Sequence, residues 1–129
     1  MPIGEAHKSG ESFSGLAEYI LAQGIYAPDS VSKKPEIVFR NHIFGSDYLT
    51  LGKEFREQAK ENQRVKKPVM HLTVNFKTAD EISSKNQKLF VQKILSEMGV
   101  KNANHQYVVV KHNDKHPHYH IIINRVGFD

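Results

Sequence analysis

Cysteine is absent from the 129 residues, which excludes both a disulfide framework and a thiolate metal site; any bound metal must rest on histidine, carboxylate or water. Long apolar runs are missing as well. Nothing approaches the about eighteen consecutive apolar residues of a membrane span, and the N-terminus lacks the basic and apolar regions of a signal peptide, so the expected location is inside the cell. There is no internal repeat, no low-complexity tract and no Pro/Gly/Ser-rich linker, which leaves one domain over residues 1–129. An apolar fraction of 39% with 25% charged residues argues against a disordered chain. The net charge of +4 and a pI near 9.3 favour an anionic partner.

Histidine is what the chain has in excess. It holds eight, and His116, His118 and His120 fall within five residues of each other. Periodicity gives their setting. Ser12 is an N-cap residue followed by Phe13, Leu16, Ala17, Ile20 and Leu21, the stripe of an amphipathic helix that Gly24 is expected to end. A β-rich segment, 36–44, lies between Pro35 and Gly45, and a polar helix over about 48–62 turns Leu51, Phe55 and Ala59 inward. From Val69 to Phe76, Met70, Leu72, Val74 and Phe76 alternate with His71, Thr73 and Asn75, the pattern of a strand with one apolar face. Thr78 and Glu81 form a capping box before a helix striped by Phe90, Val91, Ile94, Leu95 and Met98 and ended by Gly99. Two strands, 105–112 and 118–125, joined by the loop 113–117, make an antiparallel hairpin. This order predicts an α+β fold, helices flanking a largely antiparallel central sheet.

In the last strand His118, His120, Ile122 and Asn124 share one face and Tyr119, Ile121 and Ile123 the other. If His112 pairs across the hairpin with His118, the same-face neighbours stand about 5 Å apart and three imidazoles converge. Imidazole suits divalent transition ions, and a three-histidine site keeps positions open for water or substrate. Asp114 and Asn124 are placed to accept a hydrogen bond from a ligand histidine or to orient it. His116, on the loop before Pro117, is the spare imidazole, suited to solvent or substrate.

The string from His112 to Val126, with its H-x-D, P-H-x-H and N-R groups, resembles the third motif of the relaxase, or mobilization nuclease, family of HUH endonucleases. The resemblance implies an HUH-like sandwich with His112, His118 and His120 as ligands of a divalent ion, Mg²⁺ or Mn²⁺, with Zn²⁺, Ni²⁺ or Co²⁺ as substitutes in vitro. The segment from Ser12 to Ile20 resembles the first motif, in which a helical tyrosine is the nucleophile, and so nominates Tyr19. On a helical wheel Tyr19 lies outside the apolar arc, as a phenol that must reach substrate would. Tyr26 and Tyr48 are the runners-up, one in a loop after a glycine, the other opening a helix. The strand from His71 to Phe76 echoes the middle motif, with Asn75 where serine is commoner; His71 and Asn75 are expected to contact phosphate.

The activity so implied is metal-dependent, strand-specific nicking and rejoining of single-stranded DNA at a transfer origin in conjugative mobilization. Tyr19 would form a 5′-phosphotyrosyl link, and Lys33, Lys34, Lys66 and Lys67 are candidate phosphate contacts. Accessory DNA-binding and coupling proteins, and a bacterial cytoplasm, come with that reading. The chain stops five residues after Asn124, where relaxase nuclease domains usually continue with further helices, so truncation is expected. The rival readings are a rolling-circle replication initiator, which would cut a replication origin, and a noncatalytic nucleic-acid-binding module, which would keep its metal tightly and form no covalent adduct. A hydrolytic metalloenzyme acting on small phosphates is the third rival.

Overall fold

A computed structural model describes residues 3–6, 10, 12–26, 34–76, 83–112 and 118–129. In chain order it has β1 (Ile3–Ala6), α1 (Phe13–Ile20), a 3₁₀ turn (Gly24–Tyr26), β2 (Glu36–Asn41), α2 (Tyr48–Ala59), β3 (Val69–Asn75), α3 (Ser84–Glu97), β4 (Tyr107–His112) and β5 (His118–Asn124). The strands form one antiparallel sheet in the order β1-β3-β5-β4-β2, so the last strand of the sequence is the middle strand of the sheet. The α+β class and the antiparallel sheet expected from the sequence are what the chain adopts.

Each helix starts where a side chain satisfies its first amides. Ser12 Oγ accepts from Gly15 N at 3.0 Å, Asp47 from Thr50 N at 2.8 Å, and Ser83 Oγ from Asn86 N at 3.3 Å. The Thr78 and Glu81 capping box lies outside the described residues, and so does the 113–117 loop. Gly99, at φ 83°, closes α3 in the left-handed conformation expected of it. The end of α1 differs from expectation. The helix stops at Ile20, Ala22 takes φ 51°, and Gly24, at φ 58°, opens the 3₁₀ turn instead of capping the helix.

The sheet is covered on both faces. On one, Phe13, Ala17 and Ile20 of α1 and Leu51 and Phe55 of α2 pack on Val69, Val108, Val110 and Ile122. Phe13 and Phe55 stack at 4.7 Å, and Gly52 lets the two helices meet, since a Cβ there would stand 2.6 Å from Ser14 Cβ. On the other, Val91 and Leu95 of α3 pack on Leu72, Val74, Tyr107, Val109, Tyr119, Ile121 and Ile123. The alternation read in β3 and β5 therefore divides the two cores as predicted. Met98 departs from its expected place in the α3 stripe; it caps the helix and is half-exposed.

Candidate active site

The polar end of the α1/α2 face carries the histidines. β4 and β5 pair so that His112 stands directly opposite His118, and Val110 opposite His120, which puts all three imidazoles on one face. Their ring centroids lie 4.8 Å (His112 and His118), 4.5 Å (His112 and His120) and 5.2 Å (His118 and His120) apart. One nitrogen from each falls within 4.8 Å of the others, all three side chains being half-buried.

These residues fit a divalent ion. Bonds of about 2.1 Å place ligand nitrogens about 3 to 3.4 Å apart, a contraction that modest side-chain rotation supplies. Three neutral imidazoles neutralise none of the ion's charge. An ion held there would keep its attraction for an anionic ligand such as a phosphodiester, with open positions to receive it.

One histidine of the cluster is oriented from the first helix. His112 Nε2 lies 2.8 Å from the carbonyl of Ile20, one of the last carbonyls of α1 that a helix leaves without an internal partner. A carbonyl only accepts, so Nε2 carries the proton and Nδ1 is the nitrogen His112 would turn to an ion. Ile20 is fully buried, whereas its neighbour Tyr19 is 55% exposed. The helix thus ends with its last residue hydrogen-bonded to the histidine cluster and the one before it presenting a phenol to solvent.

The other phenols sort themselves by environment. Tyr107 and Tyr119 are fully buried, and their hydroxyls donate to Asn102 Oδ1 at 2.6 Å and Gln87 Oε1 at 2.8 Å. Burial, reinforced by the negative charge of Glu36, pushes the Tyr119 phenol up to about 12, and burial raises Tyr107 too. Neither is a nucleophile at neutral pH. Tyr26 is half-exposed and sets its ring edge-on to Tyr19 at 5.2 Å; Tyr48 is half-buried, its backbone amide donating to Gln23 Oε1 at 2.8 Å.

Of the remaining sequence candidates, Asn124 needs correcting. It is completely buried, its Nδ2 donating to the Phe55 carbonyl at 2.9 Å and to Gln106 Oε1 at 3.1 Å, its Oδ1 accepting from Val126 N at 3.0 Å. It shares the histidines' face but lies four residues beyond His120, about 13 Å along a strand, and ties β5 to α2. Asn75 stands opposite His118 across the β3/β5 pair and is exposed. His71 lies 2.9 Å, Nε2 to Nδ1, from His120. Asp114, His116 and Lys33 are outside the described residues; Lys34, Lys66 and Lys67 are exposed. The Ile20 carbonyl was not foreseen, because a backbone group leaves no mark in the sequence.

Compared with known proteins, residues 19–129 match the sequence pattern of the relaxase family of MobA/VirD2-like nuclease domains. The chain belongs to the relaxase family. The match begins at Tyr19 and runs through the histidine hairpin to the last residue. Relaxases of this kind are DNA-nicking nucleases of mobilization, acting on single-stranded DNA, and that general function is this domain's. No curated protein matches the chain. Among the described residues, no helix of this relaxase is long and apolar enough to cross a membrane.

Proposed function

We propose that this relaxase domain nicks and rejoins one DNA strand at a transfer origin by transesterification through Tyr19, dependent on a divalent ion held by His112, His118 and His120. The observation that carries the proposal is the 2.8 Å bond from His112 to the Ile20 carbonyl, which ties the imidazole cluster to the helix turn bearing the exposed phenol. A divalent ion in that cluster, Mg²⁺ or Mn²⁺ in the cell, supplies charge withdrawal from the nonbridging oxygens of the scissile phosphate.

Tyr19 Oη attacks the phosphorus as its proton departs. The Oη–P bond forms, the bond from phosphorus to the 3′ oxygen breaks, and that oxygen takes up a proton to leave as a 3′-hydroxyl. One ester replaces another, so the strand can be resealed by the reverse step. A position at the solvent edge of α1 suits Tyr19 to an extended single strand, whose exposed bases offer stacking faces to phenols such as Tyr26. Plasmid or mobile-element transfer in a bacterial cytoplasm, with accessory DNA-binding and coupling proteins, is the setting this reaction requires.

The test incubates the domain with single-stranded oligonucleotides spanning a transfer origin, with and without Mn²⁺, and resolves products on denaturing gels. A covalent protein–DNA adduct is expected only with metal, lost in Tyr19→Phe and retained in Tyr26→Phe. An adduct that survives Tyr19→Phe excludes that residue as nucleophile. Cleavage by the wild type without any adduct points instead to hydrolysis.

A further inference from the structure

A fourth histidine on this face, His71, was expected from the sequence to contact phosphate, and its contact with His120 points to a further role. His71 belongs to β3, which pairs with β5 in the register Thr73 to His120 and His71 to Ile122. The side chains of His71 and His120 are therefore diagonal neighbours on one face. Their rings lie nearly parallel, 25° between planes and 5.1 Å between centroids. His71 Nε2 is 2.9 Å from His120 Nδ1, and the pair is partly buried.

We infer that His71 is a positioning residue, which accepts a hydrogen bond from His120 Nδ1–H and so holds His120 with Nε2 directed to the metal. This rests on the reading of His112, His118 and His120 as metal ligands. The reasoning is a matter of proton count. A hydrogen bond between two ring nitrogens needs one proton donor and one acceptor. Once His120 binds a cation through Nε2, its lone pair there is used, so Nδ1 carries the proton and His71 Nε2 must accept it. Two of the three histidines then have an outer partner among the described residues: the Ile20 carbonyl of α1 for His112, and His71 of β3 for His120. Each fixes one tautomer. A His71 engaged in this way directs its Nε2 to the neighbouring strand.

Calorimetric titration of the folded domain with Mn²⁺, free of DNA, tests this. His71→Leu keeps bulk in the strand but offers no acceptor, whereas His71→Gln brings an amide oxygen to nearly the place of Nε2. Loss of an outer partner of a ligand histidine lowers metal affinity about 10- to 100-fold. A fall in that range is expected for His71→Leu, with recovery to within a few-fold of the wild type for His71→Gln. His118→Ala, expected to abolish binding, reports that the titrated ion is the one in the cluster. Wild-type affinity in His71→Leu overturns the positioning role while leaving the metal site standing. Equal losses in the Leu and Gln variants overturn it too, since packing alone would then account for the effect. A wild-type domain that binds no Mn²⁺ overturns the metal reading, and the inference with it.

Discussion

Replacing Asn124 by alanine separates two roles that the sequence alone could not tell apart. As an orienting group for a ligand histidine, Asn124 would matter to metal affinity; as the structure has it, Asn124 matters to folding. The substitution removes the bonds to the Phe55 carbonyl, Gln106 Oε1 and Val126 N, all buried. Each is worth about 1 kcal/mol net, and a buried amide or carbonyl left without its partner costs about 1 to 3 kcal/mol more. Three such bonds lost and one partner left unsatisfied make about 4 to 6 kcal/mol for Asn124→Ala, a large part of the about 5 to 15 kcal/mol that holds a domain together. Asn124→Asp is expected to be at least as harmful, since it exchanges a donor amide for a carboxylate oxygen facing two oxygen acceptors. Urea denaturation followed by circular dichroism gives the stability, and Mn²⁺ titration below the transition gives the affinity of the folded fraction. Stability within about 0.5 kcal/mol of the wild type, the range of an unremarkable surface change, refutes the reasoning. So does a tenfold loss of Mn²⁺ affinity with folding intact.

Gly52→Ala would drive a methyl into Ser14, with Cβ 2.6 Å from its Cβ and 2.9 Å from its Cα; a loss of about 1 to 3 kcal/mol is expected in thermal or urea unfolding, and Ser14→Gly in the same chain should restore part of it. Stability of the protein should also fail at high pH. The Tyr119 phenol is raised to about 12 from about 10 in the unfolded chain, so its contribution is complete below about pH 10 and is lost as pH rises toward 12. Absorbance at 295 nm should show Tyr119 and Tyr107 ionising above the ordinary phenol range, and Glu36→Gln should bring the Tyr119 titration to lower pH; ionisation of Tyr119 at the ordinary phenol pH, or a titration unmoved by Glu36→Gln, would contradict it.

Reading the sequence succeeded where one period answered the question. Alternation in β5 put Tyr119, Ile121 and Ile123 against α3 and His118 and His120 on the opposite face, and the α1 stripe left Tyr19 outside the core. It failed where the answer depended on which distant segments lie side by side. β1 is four residues without alternation, and it exists as a strand through its pairing with β3, Glu5 opposite Thr73. In β2 a register shift between Ile37 and Phe39 lets Val38 and Phe39 both face the α3 core, a bulge that no alternating pattern announces. The contact of His71 with His120 needs β3 beside β5, which their separation in the chain does not reveal.

Asn124 shows the deeper reason. Alternation assigns a residue to a face, but one face of β5 serves two purposes: its Asn124 end lies beneath α2, tied to the Phe55 carbonyl, and its histidine end meets the last turn of α1. What divides core from site is therefore the length of a helix. α1 stops at Ile20 because the chain turns through Ala22, at φ 51°, and Gly24, at φ 58°, conformations that a continuing helix cannot contain. The stop exposes the Ile20 carbonyl, His112 takes it, and Tyr19 is left at the rim. One more turn of helix would satisfy that carbonyl internally and carry the chain over the imidazoles. The histidine spacing supplies three convergent imidazoles, and the early end of α1 leaves a carbonyl for one of them to take.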